Sequence, residues 1–258
     1  MKKPKFDYTL IAFWSQGAYA KVYMIYLNNV MYFLRVETIK DKKIVQERLK
    51  KIDQLMKKKE IQDFIPKILA FGYGSRKDII ELPDTNKEQL WIIMNFVGHP
   101  IGRQQRSLEY TNYVIKQVLV KLVRLYEATG WMHLDMHIEN ITMLDGDIKF
   151  IDLFDIEPMD KDDVLYYLKA LVLYYYGTSL DYYPNKSFHQ LLTDAINDKP
   201  TKIDHWGKQI YNNMLYLLNH PALSRLISKN YDNYLTQELQ ESIMLANTVD
   251  QLIKVIPG

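Results

Sequence analysis

Two β-rich apolar runs, VYMIYL and VMYFLRVE, flank Asn28-Asn29, a residue pair suited to a tight hairpin turn. From Lys42 to about Ile61 the pattern changes. Val45, Leu49, Ile52 and Met56 recur at helical spacing within a Lys-rich segment, which predicts a helix with one apolar stripe and a solvated basic face. Pro66 closes this region. KILAFGYG and QLWIIMNFV then read as two further strands, separated by SRKDIIELPDTNKEQ, a polar excursion with a turn at Pro83-Asp84. The change of character falls between Gly98 and Gly102. A long amphipathic helix is predicted from about Ser107 to Thr129, with Val114, Val118, Leu122 and Leu125 facing a core. A polar loop around Asp135 follows, then two short strands, ITMLD and IKFID, joined by a turn at Gly146. The remainder reads mostly as helix, with turns at Pro184, Pro200 and Pro221. The expected class is α+β, with a small β-rich lobe over residues 1–97 and a larger, mainly helical lobe over 98–258.

Composition narrows the function. At 258 residues and 48% hydrophobic, the chain can bury one substantial core or two packed lobes. Lys and Arg total 33 against 31 Asp and Glu, a net charge of +2, which argues against a dedicated nucleic-acid binder. Cysteine is absent, so disulfides and thiolate metal sites are excluded and an intracellular setting is favoured. The longest apolar stretch, Leu165 to Tyr176, is interrupted by Lys169 and is too short to span a bilayer; MKKPKFDYTL does not open an apolar signal segment.

Candidate chemistry concentrates in HLDMHIEN (His133 to Asn140) and in IDLFD around Asp152. Asp135 is placed to accept a proton from a hydroxyl, while the Asn140 amide and the Asp152 carboxylate offer oxygen ligands to metal ions that bridge phosphates. Turn caps would use the same residue types, but capping requires neither this order nor this spacing. His133 is expected to orient the loop.

From Trp14 to Gly177 the chain resembles the protein-kinase-like superfamily. HLDMHIEN resembles its catalytic-loop pattern His-x-Asp-x-x-x-x-Asn, and IDLFD the strand end that carries its magnesium-binding Asp. EATGWMHLD resembles the helix end entering that loop, and DDVLYYLKALVLYYYG the buried helix that opens with Asp. LWIIMNFVG resembles the fifth strand and hinge, which implies Met94 as gatekeeper and Asn95 to Val97 as the adenine-facing linker. The resemblance implies ATP and magnesium, or manganese in its place, and a bilobal fold.

Departures from the pattern are as informative. SQGAYAKV resembles the phosphate-covering glycine loop, with Ser15, Gly17 and Ala20 at the three usual positions, Tyr19 at its tip and Lys21 and Val22 behind it. Only one of those positions is glycine. Arg35, in YFLRVE, stands where the ATP-gripping lysine is usual, and its planar guanidinium is not equivalent to an ammonium. Lys21 is an alternative donor. The helical acid expected to pair with Arg35 falls near Gln54; Asp53 beside it is the preferred partner, since Glu47 points away from the apolar stripe. His137 occupies a place where many Ser/Thr kinases have a lysine near the γ-phosphate. Only a short peptide separates Asp152 from Asp163; its FDIEPMDK stretch has Phe154 in place of a glycine and no phosphorylatable residue.

Such a trimmed segment resembles the minimal kinases of some bacterial pathogens and viruses, which implies a cytoplasmic site of action, the cell's own or a host's, and a protein substrate that includes host proteins. The leading expectation is an atypical ATP-dependent Ser/Thr protein kinase. A small-molecule kinase of the aminoglycoside or choline type and a pseudokinase acting as an interaction module are the alternatives. His99, His189, His205 and His220 lack metal-ligand spacing, and the tyrosines Tyr166, Tyr167 and Tyr174 to Tyr176 are expected first as core.

Overall fold

The structure, a computed structural model, describes residues 8–16, 20–75, 88–101, 107–177, 208, 211, 212, 215 and 234–258. Among the described residues it is mixed α+β, with a β-rich N-terminal region and the longer helices later, and it divides into two compact units, Met1–Gly98 and His99–Gly258.

The first unit is built on an antiparallel sheet of five strands in the order β1-β2-β3-β5-β4: β1 (Tyr8–Gln16), β2 (Ala20–Leu27), β3 (Val30–Thr38), β4 (Ile68–Ser75) and β5 (Glu88–Asn95). Asn28 and Asn29 join β2 to β3 with φ of 52° and 62°, the double left-handed turn that matches strand twist and that short polar side chains tolerate. Alternation then sorts the side chains. Tyr23, Ile25, Leu34, Val36 and Ile93 form a core cluster on one face. Gly72 of β4 faces Trp91 of β5, where an added Cβ would lie 2.6 Å from the indole ring; the missing side chain makes room for the aromatic one.

Helix α1 (Lys42–Lys57) starts where the Asp41 carboxylate accepts the Lys43 amide proton, and it buries Val45, Ile52 and Leu55. Leu49 and Met56 are only half-buried, and the helix stops four residues before Ile61. Lys58 is extended, and the chain tightens into a 3-10 turn, Lys59–Asp63, which turns Ile61 inward. The excursion between β4 and β5 lies almost entirely outside the described residues, as do Pro184, Pro200 and Pro221.

In the second unit, α2 (Leu108–Thr129) is capped by the Ser107 hydroxyl and ended by Gly130 at φ 71°, a left-handed residue whose amide closes on the Tyr126 carbonyl. Val114, Val118, Leu122 and Leu125 are all fully buried, as their spacing predicts. Short strands follow: β6 (His99–Pro100), β8 (Ile141–Leu144) and β9 (Asp147–Phe150) form one sheet, and β7 (Trp131–His133) pairs with β10 (Ile156–Pro158). Helix α3 (Lys161–Gly177) is buried without a break from Tyr167 to Tyr176. That explains an apolar run with little periodicity: the helix is covered on every side. Lys169 fits within the run because its ammonium donates to the Met244 carbonyl, 2.8 Å away in the last turn of α4 (Gln237–Leu245), and lies 5.5 Å from the Tyr211 ring centroid. A last helix, α5 (Val249–Val255), follows. Among the described residues, no helix is long and apolar enough to cross a membrane.

Candidate functional site

Within the second unit, the loop from His133 to Asn140 is fixed at several points. Leu134 donates its amide to the Asp155 carbonyl, 2.8 Å away, continuing the β7–β10 pairing around the bend. His133 is fully buried. Its Nε2–H donates to the Ile151 carbonyl (2.7 Å) and its Nδ1 accepts the Asp135 amide proton (3.3 Å), which together define a neutral tautomer. Burial lowers its pKa, so His133 holds the loop and does not carry charge. Two tyrosines of α3 complete the support. Tyr167 donates its hydroxyl to the His133 carbonyl (2.5 Å) and Tyr175 to the Met136 carbonyl (2.6 Å), fastening the backbone on both sides of Asp135.

Asn140 is buried at the end of a 3-10 turn, Ile138–Asn140. Its Nδ2 donates to the Asp135 carbonyl at 2.8 Å and lies 3.4 Å from Asp135 Oδ2. Because the amide nitrogen is committed there, Oδ1 is the atom it can offer to a hard cation. The Ile151 amide donates to the Asn140 carbonyl (2.9 Å), so Asp152 emerges beside Asn140. Asp152 is left-handed at φ 63°, a conformation uncommon for a side-chain-bearing residue and one that breaks β9 away from the following 3-10 turn, Leu153–Asp155. Its negative charge reaches both His133 and His137, favouring their protonated forms against the larger effect of burial.

His137 caps the 3-10 turn by accepting the Glu139 amide proton at Nδ1, which leaves the proton on Nε2, 3.7 Å from Asp135 Oδ2. Burial, and secondarily the neighbouring His133, push its pKa down to about 4. At neutral pH it is therefore an uncharged donor and does not reproduce a lysine's cation. A stability signature follows. The unfolded chain binds the proton near the reference value of 6.5 and the folded chain only near 4. Stability is then complete above pH 6.5, falls as pH drops towards 4, and levels off below. The loss amounts to about 3 kcal/mol for a shift of this size. His137→Asn retains an acceptor for the Glu139 amide without the titration, so urea midpoints measured from pH 7.5 to 4 should fall less steeply in the variant.

Asn140 and Asp152 offer oxygen atoms only, the donor type that hard cations such as magnesium or manganese take. Among the described residues, no group of three or more His, Asp or Glu side chains gathers to hold a metal ion.

In the first unit, register places Val22 opposite Arg35, Ala20 opposite Glu37, and Phe33 opposite Met94. Directly opposed residues share a face, so Ala20, Val22, Arg35, Glu37 and Met94 lie on the side of the sheet opposite the core cluster. Ser15 pairs with Val22 in β1, and Gly17 and Tyr19 lie outside the described residues. Lys21 pairs with Val36 and so belongs to the other face; the alternation excludes it as a substitute for Arg35. Val97 is buried, and Asn95 ties the strand end together, accepting the Lys67 amide proton at Oδ1 (2.5 Å) and donating to the Phe96 carbonyl.

The partner expected for Arg35 is corrected. Asp53 is half-exposed and bonds Lys57 one helical turn on, at 2.5 Å. Arg35 instead bonds Glu37, with Nε at 2.9 Å and Nη2 at 2.5 Å from Oε1, because residues two apart on a strand share a face and need no helix to meet. Arg48 of α1 joins the same carboxylate through Oε2. Glu37 and Arg48 were missed; the Arg-x-Glu spacing in β3 was the available signal for the first. The sequence pattern assigns Tyr167 and Tyr175 to the core, and nothing in their spacing distinguishes hydroxyls that hold a loop from those that do not.

No protein-family model matches this chain, and comparison with curated proteins gives no match.

Proposed function

We propose that the chain is an atypical ATP-dependent phosphotransferase with a kinase-like bilobal fold, acting on the hydroxyl of a Ser or Thr in a protein. One observation carries this reading: Asn140 turns its amide nitrogen onto Asp135 and so directs its oxygen away, beside an Asp152 set in a left-handed bend. This supports a proton acceptor, Asp135, and one oxygen ligand, Asn140, on the tyrosine-braced loop, with a second oxygen ligand, Asp152, at the end of the neighbouring strand. When bound, magnesium-ATP supplies the γ-phosphoryl group and the charge neutralisation that its transfer needs. Asp135 orients the acceptor hydroxyl and takes its proton; Asn140 and Asp152 hold the cation; the His137 Nε2–H adds a neutral donor near Asp135; Arg35 steadies the phosphate chain. The adenine ring falls to Met94, Asn95 and Val97.

A pseudokinase is the second reading, favoured by the engagement of both Arg35 Nε and Nη2 with Glu37. Incubation of the full chain with γ-labelled ATP, magnesium and protein or small hydroxyl acceptors separates the two. Label on Ser or Thr supports the proposal, label confined to a small molecule changes the acceptor class, and nucleotide binding without transfer supports the pseudokinase.

A further inference from the structure

Glu37 is 1% exposed, and two guanidinium groups converge on it: Arg35 from its own strand and Arg48 from α1, with side chains 14% and 27% exposed. The sign of this contact matters. A strand cation held by a helix acid would leave one neutral pair, whereas here the strand carries both members of a pair and the helix brings an additional cation. Arg35 with Glu37 alone is neutral, and its field on a nearby phosphate chain largely cancels. Arg48 adds a second guanidinium to the same carboxylate, and with it one more unit of positive charge beside Arg35. It also draws charge from Glu37 Oε2, weakening the carboxylate's competition with a phosphate for Arg35.

We propose that Arg48 is a positioning residue for polyphosphate binding: by engaging Glu37 from α1, it lets Arg35 direct more of its positive charge to the phosphate chain of a nucleoside triphosphate. This rests on the kinase reading for the nucleotide, but the chemistry recognised is the phosphate chain itself. Helix α1 then influences nucleotide affinity through a cation, and Asp53 has no part in it.

The test measures binding of magnesium-ATP and of inorganic tripolyphosphate to the full chain and to Arg48→Gln, Arg48→Lys, Glu37→Gln and the Glu37→Gln/Arg48→Gln double variant. Removing one unit charge beside the phosphates should weaken both ligands roughly tenfold in Arg48→Gln. Arg48→Lys should retain most of the affinity. The double variant should recover much of the loss, because removing the carboxylate as well restores the net charge; a purely structural role predicts no such recovery in dissociation constants measured on the folded fraction. The salt dependence of tripolyphosphate binding should be shallower in Arg48→Gln than in the unchanged chain. Equal affinities in Arg48→Gln and the unchanged chain, or a folded double variant that binds no better than Arg48→Gln, overturn the proposal. Transfer activity is scored separately. Tripolyphosphate affinities in the expected order without any transfer remove the kinase reading and leave this inference standing, transfer without that order does the reverse, and an unchanged chain that binds neither ligand removes both.

Discussion

Replacing Asp135 with Asn should lower the rate of phosphoryl transfer by about 10²- to 10⁴-fold while nucleotide affinity stays within a few-fold. The substitution preserves size and shape. It leaves the two main-chain contacts of residue 135 in place: its amide to His133 Nδ1 and its carbonyl to Asn140 Nδ2. What disappears is the ability to take a proton from the acceptor hydroxyl. Turnover should therefore suffer and ground-state binding should not, and the KM for ATP should change little. An unchanged turnover number would remove Asp135 from the chemistry, and a loss confined to ATP affinity would make it a binding residue only.

The second large effect concerns stability. Tyr167→Phe and Tyr175→Phe each delete a buried hydroxyl that donates to the carbonyl of His133 or of Met136. A buried carbonyl left without its donor costs about 1–3 kcal/mol. Together the two changes remove a large share of the roughly 5–15 kcal/mol by which a domain is stable. The urea midpoint of the double variant should fall well below that of either single one. Because the two carbonyls bracket Asp135, transfer by the folded fraction should slow as well, which a cavity elsewhere in the core would not cause. A double variant with an unchanged midpoint and unchanged rate would show that the loop does not depend on these tyrosines.

Much of this architecture was legible where one physical signal dominated. Asn28-Asn29 fixed a hairpin because two consecutive left-handed residues are tolerated only by a few side chains. Val114, Val118, Leu122 and Leu125 announced α2 by their spacing. The ends of α1 were harder to read, since the apolar pattern continues to Ile61 although the last of its positions is reached by a 3-10 turn. The short strands β7 and β10 had no pattern of their own, because three residues carry too little periodicity. In the candidate site, Asp135, Asn140 and Asp152 stood out by order and spacing in one segment. The Arg35 partnership did not, since it depends on which of several charged residues a three-dimensional fold brings together. Asp53 satisfied the counting, yet strand alternation and a helix arginine decided the pairing. Lys21 similarly looked equivalent to Arg35 in sequence and is separated from it by the parity of one residue.

The central claim is that Asp135, Asn140 and Asp152 surround the place where a phosphate-bound divalent ion sits, and manganese can report on it directly. With manganese-ATP added to the full chain, the ring-proton resonances of His133 and His137 should broaden strongly, since both imidazoles lie within reach of the Asp152 charge. Asp152→Ala should abolish that broadening at the same nucleotide concentration. Sharp His133 and His137 signals in the presence of bound manganese-ATP, or broadening that survives Asp152→Ala unchanged, would contradict the assignment.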